Sequence, residues 1–272
     1  TTRGVTINVY ATPVQNPASL TFAANFAAKT IDFYEQYFGV EYPLSKSDQV
    51  AIPDFSAGAM ENWGLVTYRE SCLLVAPSDS LSQKQYVATV IAHELSHQWF
   101  GDLVTMQWWN DLWLNESFAN FMENFATDKI YPDWRNWQSY ESTDVVAALK
   151  RDALPGVQSV REEIDDPDMI DTLFDGAIVY AKGGRMVRMV HALVGDTAWR
   201  AALKNYFTKH AYGNTTMNDF WDEIASVSHL DFSIKAMMEN LLTRPGYPVV
   251  TAALNDNAEI TLTQQRFLIT DN

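Results

Sequence analysis

The sequence predicts an α+β fold, in which strands come first and a long series of helices follows. Three observations favour this class. Apolar and polar residues alternate in short segments near the N-terminus, helical spacing of apolar residues fills most of residues 82–242, and two alternating segments follow after that. The composition, 47% hydrophobic and 19% charged over 272 residues, is that of a globular protein with a sizeable core.

The N-terminal part contains three segments that we expect to be strands. They lie at residues 4–11, 49–52 and 65–75. A helix is predicted over residues 19–38, because Gly39 follows its last apolar residue as a C-terminal stop. Cys72 falls in the third predicted strand, so we expect a buried structural thiol rather than a nucleophile.

The next helix is predicted over residues 82–100. Ser80 and Ser82 each stand three residues before a Gln, so either can form a capping box at its start. Apolar residues lie on nearly all sides of this helix, which indicates that it is buried. Further helical patterns follow at residues 111–129, 134–149, 171–193, 196–210, 216–227 and 231–242.

Pro245, Gly246 and Pro248 end the helical pattern. Two alternating segments follow, at residues 249–254 and 259–268. Because two strands alone are marginally stable in water, we expect this tail to be the beginning of a further β-domain. The predicted domains are therefore a first domain over residues 1–245 and the start of a truncated β-sandwich over residues 246–272.

The net charge and the cysteine count limit which partners and which cellular compartment we expect. The net charge of −15 disfavours nucleic acid and anionic membranes as partners. No apolar run is long enough to span a membrane. One cysteine excludes an internal disulfide framework, so a reducing, cytoplasmic location is expected.

The motif H-E-L-S-H at residues 93–97 is the strongest chemical signal. Four residues of an α-helix turn by about 400°, so His93 and His97 project from one face. This geometry suits two nitrogen ligands of one Zn²⁺, and Glu94 is placed to act on a water at the metal. Two satisfied core histidines are the alternative interpretation of the pentapeptide alone.

Glu116 follows His97 after 18 intervening residues, on the second helix. Its neighbours Trp113 and Phe118 predict burial, where an unpaired carboxylate is costly. Two imidazoles and one carboxylate leave a fourth position open, which is typical of a catalytic zinc site. Glu123 lies seven residues after Glu116, on the same face of this helix. It is a candidate to accept the remaining N–H of a ligating histidine. A surface salt bridge is the alternative role.

H-E-L-S-H, W-L-N-E at residues 113–116 and G-A-M-E-N at residues 58–62 together resemble the aminopeptidase N family of zinc peptidases. Y-A-K-G-G at residues 180–184 and P-G-Y-P-V-V at residues 245–250 extend the resemblance over essentially the whole chain. The resemblance implies a thermolysin-like catalytic domain, with a small mixed β-sheet beside a mostly helical lobe.

The resemblance also implies roles for individual residues. His93, His97 and Glu116 would bind one Zn²⁺, and Glu94 would be the general base. Tyr180 would donate a hydrogen bond to the oxyanion. Without the motif around it, one tyrosine on an apolar helix is more often a core residue. Gly183 and Gly184, three and four residues further on inside a helical pattern, indicate close helix packing.

The G-A-M-E-N segment would recognise the substrate's N-terminus. Gly58 and Ala59 allow close approach of a peptide backbone, and a strand edge there could pair with it. Glu61 would bind the α-ammonium, Met60 would line the first side-chain pocket, and Asn62 would support the loop. The expected substrates are peptides with a free N-terminus.

Two departures from the family pattern stand out. W-L-N-E is followed by Ser117, where many relatives carry Gly; we do not expect this to disturb the ligand. Family members also have domains before and after the catalytic one, which complete the substrate site. We therefore expect this chain to be a piece of a longer protein whose remaining domains are its partners, and expect it alone to bind zinc but hydrolyse aminoacyl substrates weakly or not at all.

Three alternatives stay open at this point. The first is a zinc endopeptidase of the same fold, and the second is an epoxide hydrolase with the same zinc motifs. The third is a metal-bound but inactive binding module. A carboxylate at Glu61 favours substrates with free N-termini over internal cleavage sites.

Overall fold

A four-stranded sheet forms the N-terminal part of the protein. The structure, a computed structural model, describes residues 1–269. The strands are β1 (Thr6–Tyr10), β2 (Lys46–Ile52), β3 (Ala59–Met60) and β4 (Leu65–Arg69). Their order is β1-β2-β4-β3, in which β1, β2 and β4 are parallel and β3 runs antiparallel to β4. The G-A-M-E-N segment therefore lies on an edge of the sheet.

Helix α1 (Thr21–Phe38) packs against the sheet and the next long helix. Its C-terminal stop is confirmed. Gly39 has a φ of 65°, and its amide donates to the carbonyl of Glu35 at 3.0 Å. This left-handed conformation strains most residues other than glycine.

The third predicted strand is wrong beyond its first half. Strand β4 ends at Arg69, and residues Glu70–Leu73 form a short helix, α2. The amide of Leu74 donates to the carbonyl of Glu70, which closes a helical turn where the sequence has an apolar run without alternation. Cys72 is buried as expected, but in this turn rather than in a strand.

Two long helices form the centre of the molecule. They are α3 (Leu81–His97) and α4 (Trp113–Ile130), which pack side by side. Of the two candidate caps, Ser80 is the one used, because its hydroxyl accepts from the amide of Gln83 at 3.2 Å. Most of α4 is buried, including polar residues that face the site described below.

Shorter helices surround this centre. They are α5 (Asn136–Ser142), α6 (Asp144–Asp152), α7 (Gly183–Val194), α8 (Asp196–His210), α9 (Met217–Val227) and α10 (Ile234–Leu242). Strands β5 (Val104–Met106) and β6 (Gly213–Thr215) form a small parallel pair among them. The α+β class is confirmed. Within residues 1–269, no helix combines the length and the apolar character needed to cross a membrane.

Two predicted helices are broken in the structure. The pattern at 134–149 divides into α5 and α6 at Thr143, whose hydroxyl donates back to the carbonyl of Ser139 at 2.8 Å. The pattern at 171–193 divides at Asp175, whose carboxylate caps a new helix by accepting from Ala177. A π-helix over Gly176–Lys182 follows and leads into α7.

Strands β7 (Tyr247–Leu254) and β8 (Ile260–Phe267) form an antiparallel hairpin that is exposed along nearly its whole length. The prediction that the two alternating segments form strands is confirmed. A buried ion pair holds the segment before the hairpin: Lys182 lies 2.8 Å from Asp152 and donates to the carbonyl of Gly246 at 3.2 Å. The boundary at residues 245–246 and the further β-domain stay predictions.

Candidate active site

The structure brings His93, His97 and Glu116 together. The Nε2 atoms of the two histidines are 3.1 Å apart, and Glu116 Oε2 lies 3.2 Å from the first and 3.3 Å from the second. Ligands about 2.0–2.1 Å from a tetrahedral ion are about 3.3 Å from each other. The three atoms thus have the spacing of one tetrahedral face, and this group could hold a metal ion.

The second nitrogen of each imidazole has its own acceptor. His97 Nδ1 lies 2.9 Å from the carbonyl of Phe100, and His93 Nδ1 lies 2.6 Å from Glu123 Oε2. Because a carbonyl can only accept, Nδ1 of His97 donates this bond, and Nε2 is the nitrogen that faces Glu116 and His93. The amide of Asn120 donates to the other oxygen of Glu123 at 3.2 Å. These contacts orient the Nε2 atoms of both rings toward each other and toward Glu116, as such partners do for metal-ligating histidines.

Glu94 is buried beside the first histidine, with 6% of its surface exposed. Its Oε2 atom has no hydrogen-bond partner among residues 1–269. Burial raises the pKa of this carboxyl to about 8, with Glu61 and Glu116 adding to the rise and the imidazoles opposing it. A buried carboxyl with a free oxygen and a pKa near neutrality is suited to proton transfer.

Electrostatics around the ligands favour a bound cation. Burial alone would lower the pKa of His97, but the negative charges of Glu61 and Glu116 outweigh it and raise that pKa to about 10. Burial would raise the pKa of Glu116, yet the imidazoles of His97 and His93 hold it well below its usual range. Carboxylates thus outnumber imidazoles here, an excess of negative charge that a metal ion would neutralise.

Tyr180 lies against the same cluster. Its ring stacks on the ring of His93, with 5.9 Å between centroids and 24° between planes. Burial raises the pKa of Tyr180 well above its usual value, and the negative charges of Glu116 and Glu94 add to the rise. The hydroxyl therefore keeps its proton and can donate a hydrogen bond.

Tyr180 belongs to the π-helix, which is anchored on α4. The hydroxyl of Ser117 donates to the carbonyl of Val179 at 2.6 Å. A Cβ atom on Gly183 would lie 2.0 Å from that hydroxyl oxygen, and one on Gly184 would lie 2.3 Å from Asn120 Oδ1. The close helix packing predicted from the two glycines is confirmed, since neither position has room for a side chain.

The G-A-M-E-N segment contains strand β3 and enters the turn at residues 61–64, which connects β3 to β4 beside this cluster. Ala59 and Met60 pair with β4, and the amide of Asn62 donates to Thr67 Oγ1 at 3.1 Å. Glu61 is half-buried, and its charge raises the pKa of His97, Glu94 and Tyr180. Glu61 is therefore part of the electrostatic environment of the ligands, whereas Met60 is 45% exposed.

Comparison with known families agrees with this geometry. Residues 22–241 match the domain that defines peptidase family M1. The chain belongs to peptidase family M1. Its mixed α+β structure is consistent with the thermolysin-like catalytic domain expected for that family.

Relatives of this M1 chain are aminopeptidases by name. Aminopeptidase N of Lactobacillus helveticus is 53% identical over 267 residues, covering 98% of this chain and 31% of that protein. Aminopeptidase N of Lactococcus lactis subsp. cremoris (strain MG1363) is 52% identical over 270 residues, covering 99% and 32%. Probable aminopeptidase 2 of Sulfurisphaera tokodaii is 43% identical over 251 residues, covering 92% and 32%. The chain spans about a third of the length of these relatives.

Three features of the M1 site were not predicted from the sequence. They are the π-helix that carries Tyr180, the hydroxyl of Ser117 beneath it, and the buried amide of Gln98. Only the position of Gln98, directly after His97, offered a signal. The structure places Glu94, Glu123 and Tyr180 at the ligand cluster and the 58–62 segment at the sheet edge, while the individual roles of these residues stay predictions.

Proposed function

We propose that this M1 chain carries the catalytic site of a zinc aminopeptidase, which removes single residues from the N-terminus of peptides. One observation supports this above the others. Three ligand atoms lie 3.1–3.3 Å apart with the free carboxylate oxygen of Glu94 beside them and the charge of Glu61 acting on them. The first two features suit hydrolysis, and the third suits a substrate with a positive end.

Zinc is the proposed metal, and its ligands are His93, His97 and Glu116. Two imidazoles and one carboxylate are a common catalytic zinc set, because they leave one coordination position open. When bound in such a set, zinc lowers the pKa of a coordinated water to about 7 and polarises a carbonyl oxygen. Glu123 and the carbonyl of Phe100 would hold the imidazoles in the ligating orientation.

Glu94 and Tyr180 would perform the proton transfer and the charge stabilisation. Glu94 would take a proton from the attacking water as the new C–O bond forms at the scissile carbonyl. It would then deliver that proton to the leaving amine as the C–N bond breaks. The hydroxyl of Tyr180, which stays protonated, would donate to the oxygen that becomes negative, a contribution of about 2.7–4 kcal/mol.

Recognition of the N-terminus is assigned to Glu61 and β3. The carboxylate of Glu61 would pair with the α-ammonium, so that the first peptide bond lies at the metal. The outer edge of β3 could pair with the substrate backbone, with Gly58 and Ala59 allowing close approach. Met60, which is partly exposed, would contact the first side chain, and Asn62 would support the turn.

The proposal is tested on full-length protein with matched peptides that differ only by N-acetylation. We expect release of the first residue from the free peptide and no cleavage of the acetylated one. A chelator should abolish the activity, and added Zn²⁺ should restore it. Cleavage of the acetylated peptide would favour the endopeptidase alternative, and epoxide hydrolysis without peptide cleavage would favour the other. Bound zinc without either activity would favour an inactive module.

We also propose a cytoplasmic location, with no nucleic-acid or membrane partner. One cysteine and a net charge of −15 support this proposal. The remaining domains of the parent protein are the proposed partners of the exposed hairpin and of the substrate site. Cell fractionation with an antibody against the protein tests the compartment.

A further inference from the structure

The amide of Gln98 is fully buried and uses both of its ends. Its Nε2 atom donates to the carbonyl of Glu61 at 2.8 Å and to Asp102 Oδ2 at 2.9 Å. Its Oε1 atom accepts from the amide of Gly64 at 3.2 Å and from the hydroxyl of Tyr42 at 3.3 Å. Because a backbone carbonyl only accepts and a backbone amide only donates, these partners define the orientation of the side chain.

Two of these four bonds hold the same turn. Glu61 and Gly64 are its two ends, and Gln98 contacts the backbone of both. The other two bonds, to Asp102 and Tyr42, anchor the amide in the protein interior. The side chain therefore connects the protein interior to the turn that carries the Glu61 carboxylate.

Gln98 is also next to a candidate metal ligand in the sequence. It directly follows His97 at the end of α3, the helix that also carries His93 and Glu94. The turn and the ligand helix are thus joined through a single side chain next to a ligand. A shift of this amide would disturb its bonds to the backbone of both Glu61 and Gly64.

The chemistry of the site requires an amide at this position. A glutamate would face the carbonyl of Glu61 and the carboxylate of Asp102 with oxygens that have no proton to donate. A methionine would fill the same volume and make none of the four bonds. A buried carbonyl without a donor is unfavourable, so loss of this bond would let the turn relax to another position.

We propose that Gln98 is a positioning residue that sets the distance between the Glu61 carboxylate and the metal ligands, and so gives the enzyme its preference for a free amine. This inference rests on the proposed function, because it assumes that Glu61 binds the substrate's ammonium group. Gln98, at the end of the ligand helix, would therefore determine where the Glu61 carboxylate lies, rather than the turn alone.

The experiment compares L-leucinamide and 4-methylpentanamide as competitors of aminoacyl-arylamide turnover by the full-length, zinc-loaded protein. Under the proposed function L-leucinamide is itself an alternative substrate, so its inhibition constant corresponds to its KM. The two molecules share a carbon skeleton and differ only by the amine. The inhibition constant of 4-methylpentanamide divided by that of L-leucinamide therefore measures recognition of the ammonium group. We expect Gln98→Met to reduce this ratio by about tenfold, the effect of losing a hydrogen bond of ordinary strength. Zinc content and inhibition by 4-methylpentanamide should change little.

Gln49→Met is the matched control. Gln49 is another fully buried amide, bonded to Ser47 and Tyr68, and none of its hydrogen-bond partners is in the Glu61–Gly64 turn. The control should keep the wild-type ratio. A ratio unchanged in Gln98→Met, or reduced equally in Gln49→Met, would overturn the inference.

Two further variants cover misfolding and separate the two proposals. If Gln98→Met does not fold, Gln98→Glu should show the same loss, since it removes the donor to Glu61 without changing the volume. Glu61→Gln should reduce the ratio on its own, and adding Gln98→Met to it should reduce the ratio little further. A wild-type protein with no preference for L-leucinamide would refute the proposed function itself.

Discussion

The ligand cluster and the G-A-M-E-N turn lie next to each other but are held in different ways. His93, His97 and Glu116 project from two long helices, and two of the three side chains are nearly fully buried. The turn follows a strand of two residues, and Glu61, the first residue after that strand, is half-buried. Helices fix positions along their whole length, whereas an edge turn has only a few bonds.

This difference separates chemistry from recognition. Changes among the helices should affect metal binding or the rate of the chemical step. Changes in the turn, or in Gln98 beneath it, should affect which molecules bind. A mutation in the turn that changed metal binding, or a mutation in the helices that changed substrate preference, would show that the two regions act as one unit.

The largest effect is expected for Glu94→Gln. It keeps the volume of the side chain but removes the group that accepts the water's proton. Turnover of aminoacyl-arylamides by the full-length protein should fall by about 10²–10⁴-fold, the usual contribution of a general base. Zinc content, measured by atomic emission, should stay at that of the wild type. Retained turnover would exclude Glu94 as the base.

Tyr180→Phe should have the next largest effect. Loss of one oxyanion donor typically lowers kcat by about 10²–10³-fold. KM should change little, because the bond strengthens only in the transition state. Tyr206→Phe is the control, since Tyr206 is buried and bonds to Thr215 rather than to the site. Equal losses in the two variants would point to general destabilisation.

On the recognition side, Glu61→Gln should raise KM for free-amine substrates by about 10–100-fold, the strength of a hydrogen bond to a charged group. Zinc content should not change. Glu223→Gln is the control, because Glu223 is a buried glutamate paired with Lys209. A loss of zinc in Glu61→Gln would contradict the separation of the two regions.

The smallest effect concerns the packing under Tyr180. In Gly183→Ala the new methyl group would meet Ser117, so overpacking should destabilise the fold by about 1–3 kcal/mol, more than the helix propensity of alanine restores. Thermal unfolding should begin several degrees lower, since about 1 kcal/mol corresponds to about 2–4 °C in a domain of this size. Ser117→Gly should reverse the loss in the double variant. An additive effect of the two changes would refute the contact.

The local features of this site were predictable from the sequence. Two ligands four residues apart on one helix share a face whatever surrounds them, so His93 and His97 followed from helix geometry. Glu116 required only a second helix packed beside the first. Glu61 and Tyr180 could be assigned only through the family resemblance, because a turn carboxylate and a tyrosine on an apolar helix are common.

Contacts between distant segments could not be predicted in this way. Gln98 bonds to a residue 37 positions away, and Ser117 to one 62 positions away. Periodicity indicates which face of an element is buried, but not which partner it meets. The π-helix was missed for the same reason, because its apolar spacing resembles that of an ordinary helix and its anchor lies on α4.

A crystal structure of the zinc-loaded, full-length protein with L-leucine hydroxamate would examine both regions at once. We predict an anomalous zinc peak about 2.0–2.2 Å from His93 Nε2, His97 Nε2 and a carboxylate oxygen of Glu116. The ammonium group of the inhibitor should lie within hydrogen-bonding distance of the Glu61 carboxylate. Zinc bound by other residues, or an ammonium group directed away from Glu61, would contradict the proposed function.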